Sequence, residues 1–361
     1  MRTIVYAKLS YVIYWKGGFH MKEKIRIAVL GLGRLGYWHA ENLSQKIKGA
    51  ELVAVADPMP GRAEEVARQI NVPKWTEDPD EIFEYEKIDA VAIVTPTSTH
   101  HEMIKKAALS GKHIFTEKPF TETLEQADEV IKVIKDNNIF CQVGFMKRFD
   151  PAYAEAKRRI EAGDIGKPLY FKGITRDGNT PPPEFIKNSG GLYLDFSIHD
   201  YDTARFFLHT EVKDVIAHGS VVHHEYVAEH GDVDQALTYL TFQSGAAADI
   251  EASRNAKYGY DVRAEIIGTE GAIQIGSMRN HDLFVLKNKN RSHDILPDFA
   301  TQFADAYLLE MASFIEQLRK DEAPLVNEMD GKIALEIAVA ATRSYQNGKK
   351  ISLNHTELLS N

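Results

Sequence analysis

Four groups of residues have types and spacings that suit chemistry. The first is Gly31-Leu32-Gly33-Arg34-Leu35-Gly36, a Gly-x-Gly-x-x-Gly run that follows the apolar stretch IRIAVL. In such a turn Gly31 permits the tight bend, Gly33 lets backbone approach a pyrophosphate, and Gly36 lets helix and strand pack closely. Arg34 and Leu35 lie within the run, where the helix N-terminus offers free N–H groups to phosphate. Asp57 ends a second apolar stretch, ELVAVA, twenty-one positions after Gly36. That is close to the ~20 expected for the acid that holds an adenosine ribose. A carboxylate there repels a 2′-phosphate and favours NAD; Arg34 and Arg62 leave NADP as the lesser alternative.

The second group is Thr95-Pro96-Thr97-Ser98-Thr99-His100, directly after a third apolar stretch. Thr95, Pro96 and Thr97 are placed to touch the cofactor. His100 reads equally as a cofactor contact or as part of a turn whose Thr99 caps the next helix. The third group is Glu117-Lys118-Pro119 after another strand. Lys118 can reach a substrate hydroxyl, although a single lysine is more often simply solvated; Glu117 stands beside it on the cofactor side. The fourth is Asp195 and His199 in LYLDFSIHD. As i and i+4 on one helix they share a face; a carboxylate beside an imidazole fixes its tautomer and raises its basicity, although the spacing alone reads more readily as a helix-surface pair.

The elements that position these residues fall into two series. Strands are expected at Ile25–Leu30, Glu51–Ala56, Ala90–Thr95, His113–Thr116 and Phe140–Phe145. Helices are expected at Leu35–Lys48, Arg62–Ile70, His101–Leu109 and Leu124–Asp136. This alternation predicts a doubly wound parallel sheet over residues 21–149, with ligands at the carboxyl ends of its strands. From residue 150 to 361 the pattern changes to α+β. It has helices at Ala152–Ala162, Leu192–Leu208, Thr301–Leu318 and Asp330–Asn347, and a loop over Arg176–Gly190. Strands follow at Pro168–Thr175, Asp214–His223, Asp234–Phe242, Ala247–Ala252, Val262–Gly268, Ala272–Ile275 and Leu283–Lys287. With no long helices between most of them, their sheet should be open and largely antiparallel.

In order along the chain, GLGRLG, TPTSTH, EKP, VGFMKRFDP and DFSIHD resemble the Gfo/Idh/MocA oxidoreductases from about Met21 to the last helix. VGFMKRFDP and the later KYGYD look closest to the inositol 2-dehydrogenase branch. The resemblance implies a Rossmann domain followed by a substrate domain whose open sheet mediates oligomerisation, with a homotetramer favoured. It implies that Lys118, Asp195 and His199 converge on the nicotinamide edge and that Arg148 helps shape the pocket. The expected reaction is NAD-dependent oxidation of a secondary hydroxyl, with His199 as base, Asp195 as its orienter and Lys118 on the reacting oxygen. Expected substrates are myo- or scyllo-inositol, with a pyranose sugar second. A non-catalytic NAD(P)-binding regulator is the alternative from another class. A neutral ring rimmed with hydroxyls needs several hydrogen-bonding groups, for which Arg148, Asp177, Asn179, Tyr260 and Tyr307 are candidates. Tyr260 and Tyr307 read equally as packed core aromatics.

Composition agrees with a soluble globular enzyme. The 361 residues are 44% hydrophobic and 26% charged, the mix of an ordinary globular chain. A net charge of −9 argues against a nucleic-acid partner. The single cysteine, Cys141, excludes an intrachain disulfide and suits a reducing compartment, the cytoplasm. Residues 1–20 are apolar but interrupted by Lys8 and Lys16, too short a run for a membrane span. They read as an extension before the first core strand. No metal is required; His223, His224 and His230 fall in a polar connection, HHEYVAEHG.

Overall fold

The computed structural model describes residues 24–353 apart from 179 and 180. The extension Met1–His20 and the candidate Asn179 therefore lie outside the described residues. The first half alternates β1 (Ile25–Leu30), α1 (Arg34–Gln45), β2 (Ala50–Ala56), α2 (Arg62–Ile70), β3 (Lys74–Thr76), α3 (Asp80–Glu84), β4 (Ala90–Ile93), α4 (Thr97–Leu109), β5 (His113–Glu117), α5 (Leu124–Asp136) and β6 (Cys141–Gly144). The six strands form one parallel sheet in the order β3-β2-β1-β4-β5-β6. Strands β1 and β4 are almost wholly buried, as strands covered on both faces must be. The order reverses between β1 and β4, which opens a crevice at their carboxyl ends.

The second half contains α6 (Pro151–Glu161), β7 (Pro168–Arg176), α7 (Pro183–Ser189), α8 (Leu192–Asp195), α9 (Ile198–Leu208), β8 (Val212–Ser220), β9 (Gln235–Phe242), β10 (Ala247–Ser253), β11 (Asp261–Gly268) and β12 (Ala272–Ile275). A small hairpin follows, β13 (Val285–Lys287) with β14 (Asn290–Ser292). The chain closes with α10 (Phe299–Gln302), α11 (Ala304–Lys320), α12 (Glu328–Asn347) and β15 (Ile351–Ser352). The larger sheet runs β12-β11-β7-β10-β9-β8-β15. It is antiparallel except for β7 beside β10. The doubly wound sheet and the largely antiparallel second sheet are both as the sequence predicts.

Three local expectations need correction. The helix expected over Leu192–Leu208 is broken: α8 ends at Asp195 and α9 starts at Ile198. The loop expected over Arg176–Gly190 contains α7, started by a proline in its first turn. The last expected strand belongs to the separate hairpin rather than the large sheet.

Helices from late in the chain return to the first sheet. Met311, Phe314 and Ile315 of α11 pack with Ile27, Val29 and Phe115. Ala334 and Leu335 of α12 join the core under β4 and β5, whereas Ile337 and Ala341 of the same helix face the core of the second sheet. The two sheets are thereby held against each other across the crevice. Among the described residues no helix is long and apolar enough to cross a membrane.

Candidate active site

The glycine turn is built by close approach. Gly31 has φ +85°, and a side chain there would strike the Val94 carbonyl oxygen at 2.5 Å. A Cβ on Gly36 would sit 1.9 Å from the Gly31 carbonyl oxygen, so only glycine lets α1 leave the turn at this angle. A Cβ on Gly33 meets nothing within 4 Å, which leaves open space at the start of α1. Asp57 accepts the Leu32 N–H at 2.6 Å and the Met59 N–H at 2.9 Å, placing its carboxylate beside the turn. Arg62 donates to the Leu32 carbonyl at 2.9 Å.

From this turn a cavity of about 910 Å³ runs across the carboxyl ends of β4 and β5 to the second sheet. Arg34, Leu35, Thr95, Pro96, Thr97 and Glu117 line its near part. Arg34 stacks its guanidinium 4.4 Å from the Phe299 ring centre. Pro96 precedes α4, and the Thr99 hydroxyl braces the turn at 2.7 Å from Thr95 Oγ1 and 2.8 Å from the Pro96 carbonyl. His100 is not on the wall. It is 1% exposed, with its ring nitrogens 3.0 Å from the Thr95 carbonyl and 2.8 Å from the Pro119 carbonyl. It pins two cavity-lining turns together, which corrects the reading of it as a cofactor contact.

Glu117 has a buried entourage. Its Oε1 lies 3.0 Å from His39 Nε2, and Glu310 is fully buried alongside, with neither carboxyl oxygen hydrogen-bonded among the described residues. One ligand atom from each of His39, Glu117 and Glu310 falls within 4.8 Å of the others. Burial, then the charge of Glu117, holds the Glu310 carboxyl well above the usual range.

Lys118, Asp195 and His199 all reach the cavity. The Lys118 ammonium donates to the Asp195 backbone carbonyl at 2.7 Å and to its carboxylate at 3.1 Å. Two of its three N–H donors are thus occupied and one is left for a ligand. Among the described residues no hydrogen bond joins Asp195 to His199, and His199 Nδ1 is buried without a partner. The helix is interrupted at Phe196 and Ser197 between the two residues, and the Asp195 carboxylate bonds Lys118. His199 becomes the second residue of α9, with the edge of its ring against Phe145. Burial, followed by Lys118 and Lys147, holds its pKa well below the usual histidine value.

The far part of the cavity separates the other candidates. Asp177 lies on its wall, following β7, as do Tyr260 and Tyr307. Both tyrosines also pack in a cluster with Met146 and Phe303, so the core reading and the wall reading are both true of them. Arg148 is elsewhere. It forms a fork on Asp202 at 2.5 and 2.8 Å, reaches Asp330 at 3.0 Å and lies over the Phe206 ring. Arg148 therefore ties α9 to α12 and does not shape the pocket. The neighbouring Lys147 does, 2% exposed and bonded to Asp200 at 2.6 Å. Arg254, directly after β10, is a second wall cation absent from the sequence reading. Its only sequence signal is its place at a strand's end.

Comparison with known proteins agrees with this architecture. Residues 25–145 match the model described as the oxidoreductase family, NAD-binding Rossmann fold (GFO_IDH_MocA), and 157–353 match that family's C-terminal alpha/beta domain. The chain is 54% identical over 334 residues to a scyllo-inositol 2-dehydrogenase (NAD(+)) of Bacillus subtilis, covering 92% of this chain and 98% of that one. It is 38% identical over 330 residues to a myo-inositol 2-dehydrogenase of Thermotoga maritima, covering 91% and 98%. The crystal structure of scyllo-inositol dehydrogenase from Lactobacillus casei with bound NAD(H) and scyllo-inositol superposes with a TM-score of 0.87. The identity is 31%, with coverage of 91% of this chain and 99% of that one.

Proposed function

The chain belongs to the Gfo/Idh/MocA oxidoreductase family, and from that membership we propose that it is an NAD-dependent inositol dehydrogenase. It oxidises a secondary hydroxyl of scyllo- or myo-inositol to the 2-keto inosose. The residues present fit NAD: Gly33 leaves the start of α1 open, and the Asp57 carboxylate stands where the adenosine ribose is expected. Gly31, Gly33, Gly36 and Asp57 would hold the adenosine and pyrophosphate half, with Arg34, Thr95, Pro96, Thr97 and Glu117 lining the way to the reaction centre. When bound, NAD supplies the hydride acceptor.

The observation that carries the reading is the pairing of Lys118 with Asp195 on the same wall as a neutral His199. Lys118 Nζ, with one donor unspent, binds the reacting oxygen and stabilises the alkoxide character that develops there. The His199 imidazole, uncharged at neutral pH, takes the hydroxyl proton as hydride leaves the same carbon. Asp195 serves Lys118 rather than His199: it orients the ammonium and balances its charge. Residues 21–149 act as the cofactor unit and 150–361 as the substrate and assembly unit of a cytoplasmic enzyme. The outer face of the large sheet exposes Ile216, Leu237, Tyr239 and Ile267, an apolar surface suited to a second copy in a homo-oligomer.

A panel of inositols, pyranoses and sugar phosphates, each with NAD and NADP, tests this by nicotinamide absorbance. Turnover of scyllo- or myo-inositol with NAD is expected, with weaker turnover of glucose or xylose and none of sugar phosphates. Rapid oxidation of a phosphorylated or carboxylated sugar with the inositols inert would overturn it.

A further inference from the structure

Arg254 is one of the largest fully buried side chains in the molecule, 1% exposed. Its backbone N–H is fixed by the Asp234 carbonyl at 2.9 Å, so it leaves the end of β10 in one direction. Strands β7 and β10 run parallel and in register, Ser253 against Arg176. Their carboxyl ends deliver Thr175, Asp177 and Arg254 to the same cavity wall.

The guanidinium there makes no hydrogen bond among the described residues. Its nearest acids are Asp232 Oδ2 at 3.8 Å and Asp195 Oδ2 at 3.9 Å, beyond hydrogen-bond length. The Phe196 ring lies 5.9 Å away. Nε and Nη2, which form one edge of the planar group, are enclosed and unpartnered, and so is Asp232 Oδ2. A buried cation with its donors unspent is costly, and an arginine with a purely structural role would have closed on its carboxylates as Arg148 closes on Asp202.

We propose that Arg254 is a substrate-contact residue whose guanidinium donates to neighbouring hydroxyl oxygens of the neutral polyol ring, away from the carbon being oxidised. The proposal rests on the polyol reading above. The ligand is uncharged because two carboxylates already balance the guanidinium, and Asp177 and Glu184 add negative charge to the same wall. The pair of N–H groups on Nη1, the one guanidinium nitrogen that is not enclosed, forms the fork that matches two gauche oxygens of a vicinal diol, a planar geometry that an ammonium cannot reproduce. Contact with Arg254 at one end of the ring and with Lys118 at the other fixes which hydroxyl faces His199. Arg254 thereby joins substrate selection to the choice of oxidised carbon.

The test is a substrate-based cycle on wild type and Arg254→Met. Each is assayed with the parent inositol and with monodeoxy inositols that lack one hydroxyl other than the oxidised one. In wild type, loss of the hydroxyl contacted by Arg254 lowers kcat/KM about 10- to 100-fold. Arg254→Met lowers kcat/KM for the parent by about the same factor but adds no penalty for that one analogue, while the other deoxy penalties persist. NAD affinity by calorimetry is unchanged. If every deoxy penalty survives in Arg254→Met, or the parent is oxidised as well as before, the proposal fails. If Arg254→Met does not fold, Arg254→Lys keeps the charge without the fork and must show the same loss of discrimination. Wild type inert on all inositols would instead sink the polyol reading. The same cycle on whichever sugar is accepted, with its deoxy analogues, would still decide Arg254.

Discussion

Removing the His199 imidazole is the sharpest test of the chemistry. The ring is buried against Phe145 and faces the field of two ammonium groups, Lys118 and Lys147. All three influences disfavour imidazolium, so near pH 7 essentially the whole population holds the base form. The full contribution of a positioned general base is therefore available, a factor of ~10²–10⁴. In barrier terms that is about 2.7–5.5 kcal/mol. His199→Ala should lose that factor in kcat with NAD affinity unchanged. The pH profile makes the argument more demanding. Because the folded pKa lies below the ordinary value, the acid limb of wild-type kcat/KM should lie well below pH 6.5. Lys118→Met removes the larger of the two charge effects and should move that limb upward, in addition to lowering kcat. Linkage gives a second readout. Below about pH 6.5 the unfolded chain takes up the proton that folded His199 refuses, so stability falls with pH there. His199→Ala should lack this component in denaturant unfolding. A variant that keeps a tenth or more of wild-type kcat, or a wild-type acid limb at or above pH 6.5, would refute the assignment.

The remaining expectations address the cofactor turn and the buried acid. Asp57→Ser should weaken NAD and improve NADP in kcat/KM, because the acid that repels a 2′-phosphate is gone; a wild type that already prefers NADP would contradict this. Gly36→Ala places a methyl 1.9 Å from the Gly31 carbonyl oxygen. It should cost about 1–3 kcal/mol or more in unfolding free energy and cut NAD affinity, measured by denaturant titration and calorimetry. Burial raises the Glu310 pKa in the fold, whereas the unfolded chain ionises it above about pH 4.5. Glu310→Gln should therefore raise the melting temperature at pH 7–8, with the gain shrinking towards pH 4.5. A gain that is independent of pH would show that Glu310 is ionised in the native state.

Much of this was legible in the residues, for identifiable reasons. IRIAVL is apolar at nearly every position, so β1 is found to the residue. LEQADEVIKVIKD has clean helical spacing, and its predicted bounds match α5, whose start is secured by a capping box of Thr123 and Gln126. The glycine turn and Asp57 follow from strand ends, because a parallel sheet delivers those ends to one place, whereas Lys118 stands out from a solvated lysine only through the family resemblance of its EKP motif. What was not legible depends on partners far away in the chain. Nothing in LYLDFSIHD marks the break after Asp195; it coincides with a bond to Lys118, seventy-seven positions earlier. Lys147 and Arg148 are adjacent cations in one short turn, and only Asp200, Asp202 and Asp330 decide which of them reaches the cavity. Strand β3 is three residues long, too short for alternation to show.

The partner that Asp195 takes has chemical consequences. A carboxylate bonded to the imidazole would favour its charged form. His199 would then hold a proton at neutral pH more readily and serve poorly as a base for alcohol oxidation. The carboxylate instead bonds Lys118, and His199 stands in the first turn of α9, where the helix end adds positive potential. The carboxylate thus pairs with the ammonium, and the imidazole stays neutral. That is the division of labour hydride abstraction requires: a fixed cation on the oxygen, and an empty proton site on the group beside it. Arg254, 3.9 Å from the other oxygen of Asp195, sits behind this arrangement as a second cation. Substrate hydroxyls that engage Arg254 would draw on the same carboxylate that positions Lys118, which couples recognition at one end of the ring to electrostatics at the other.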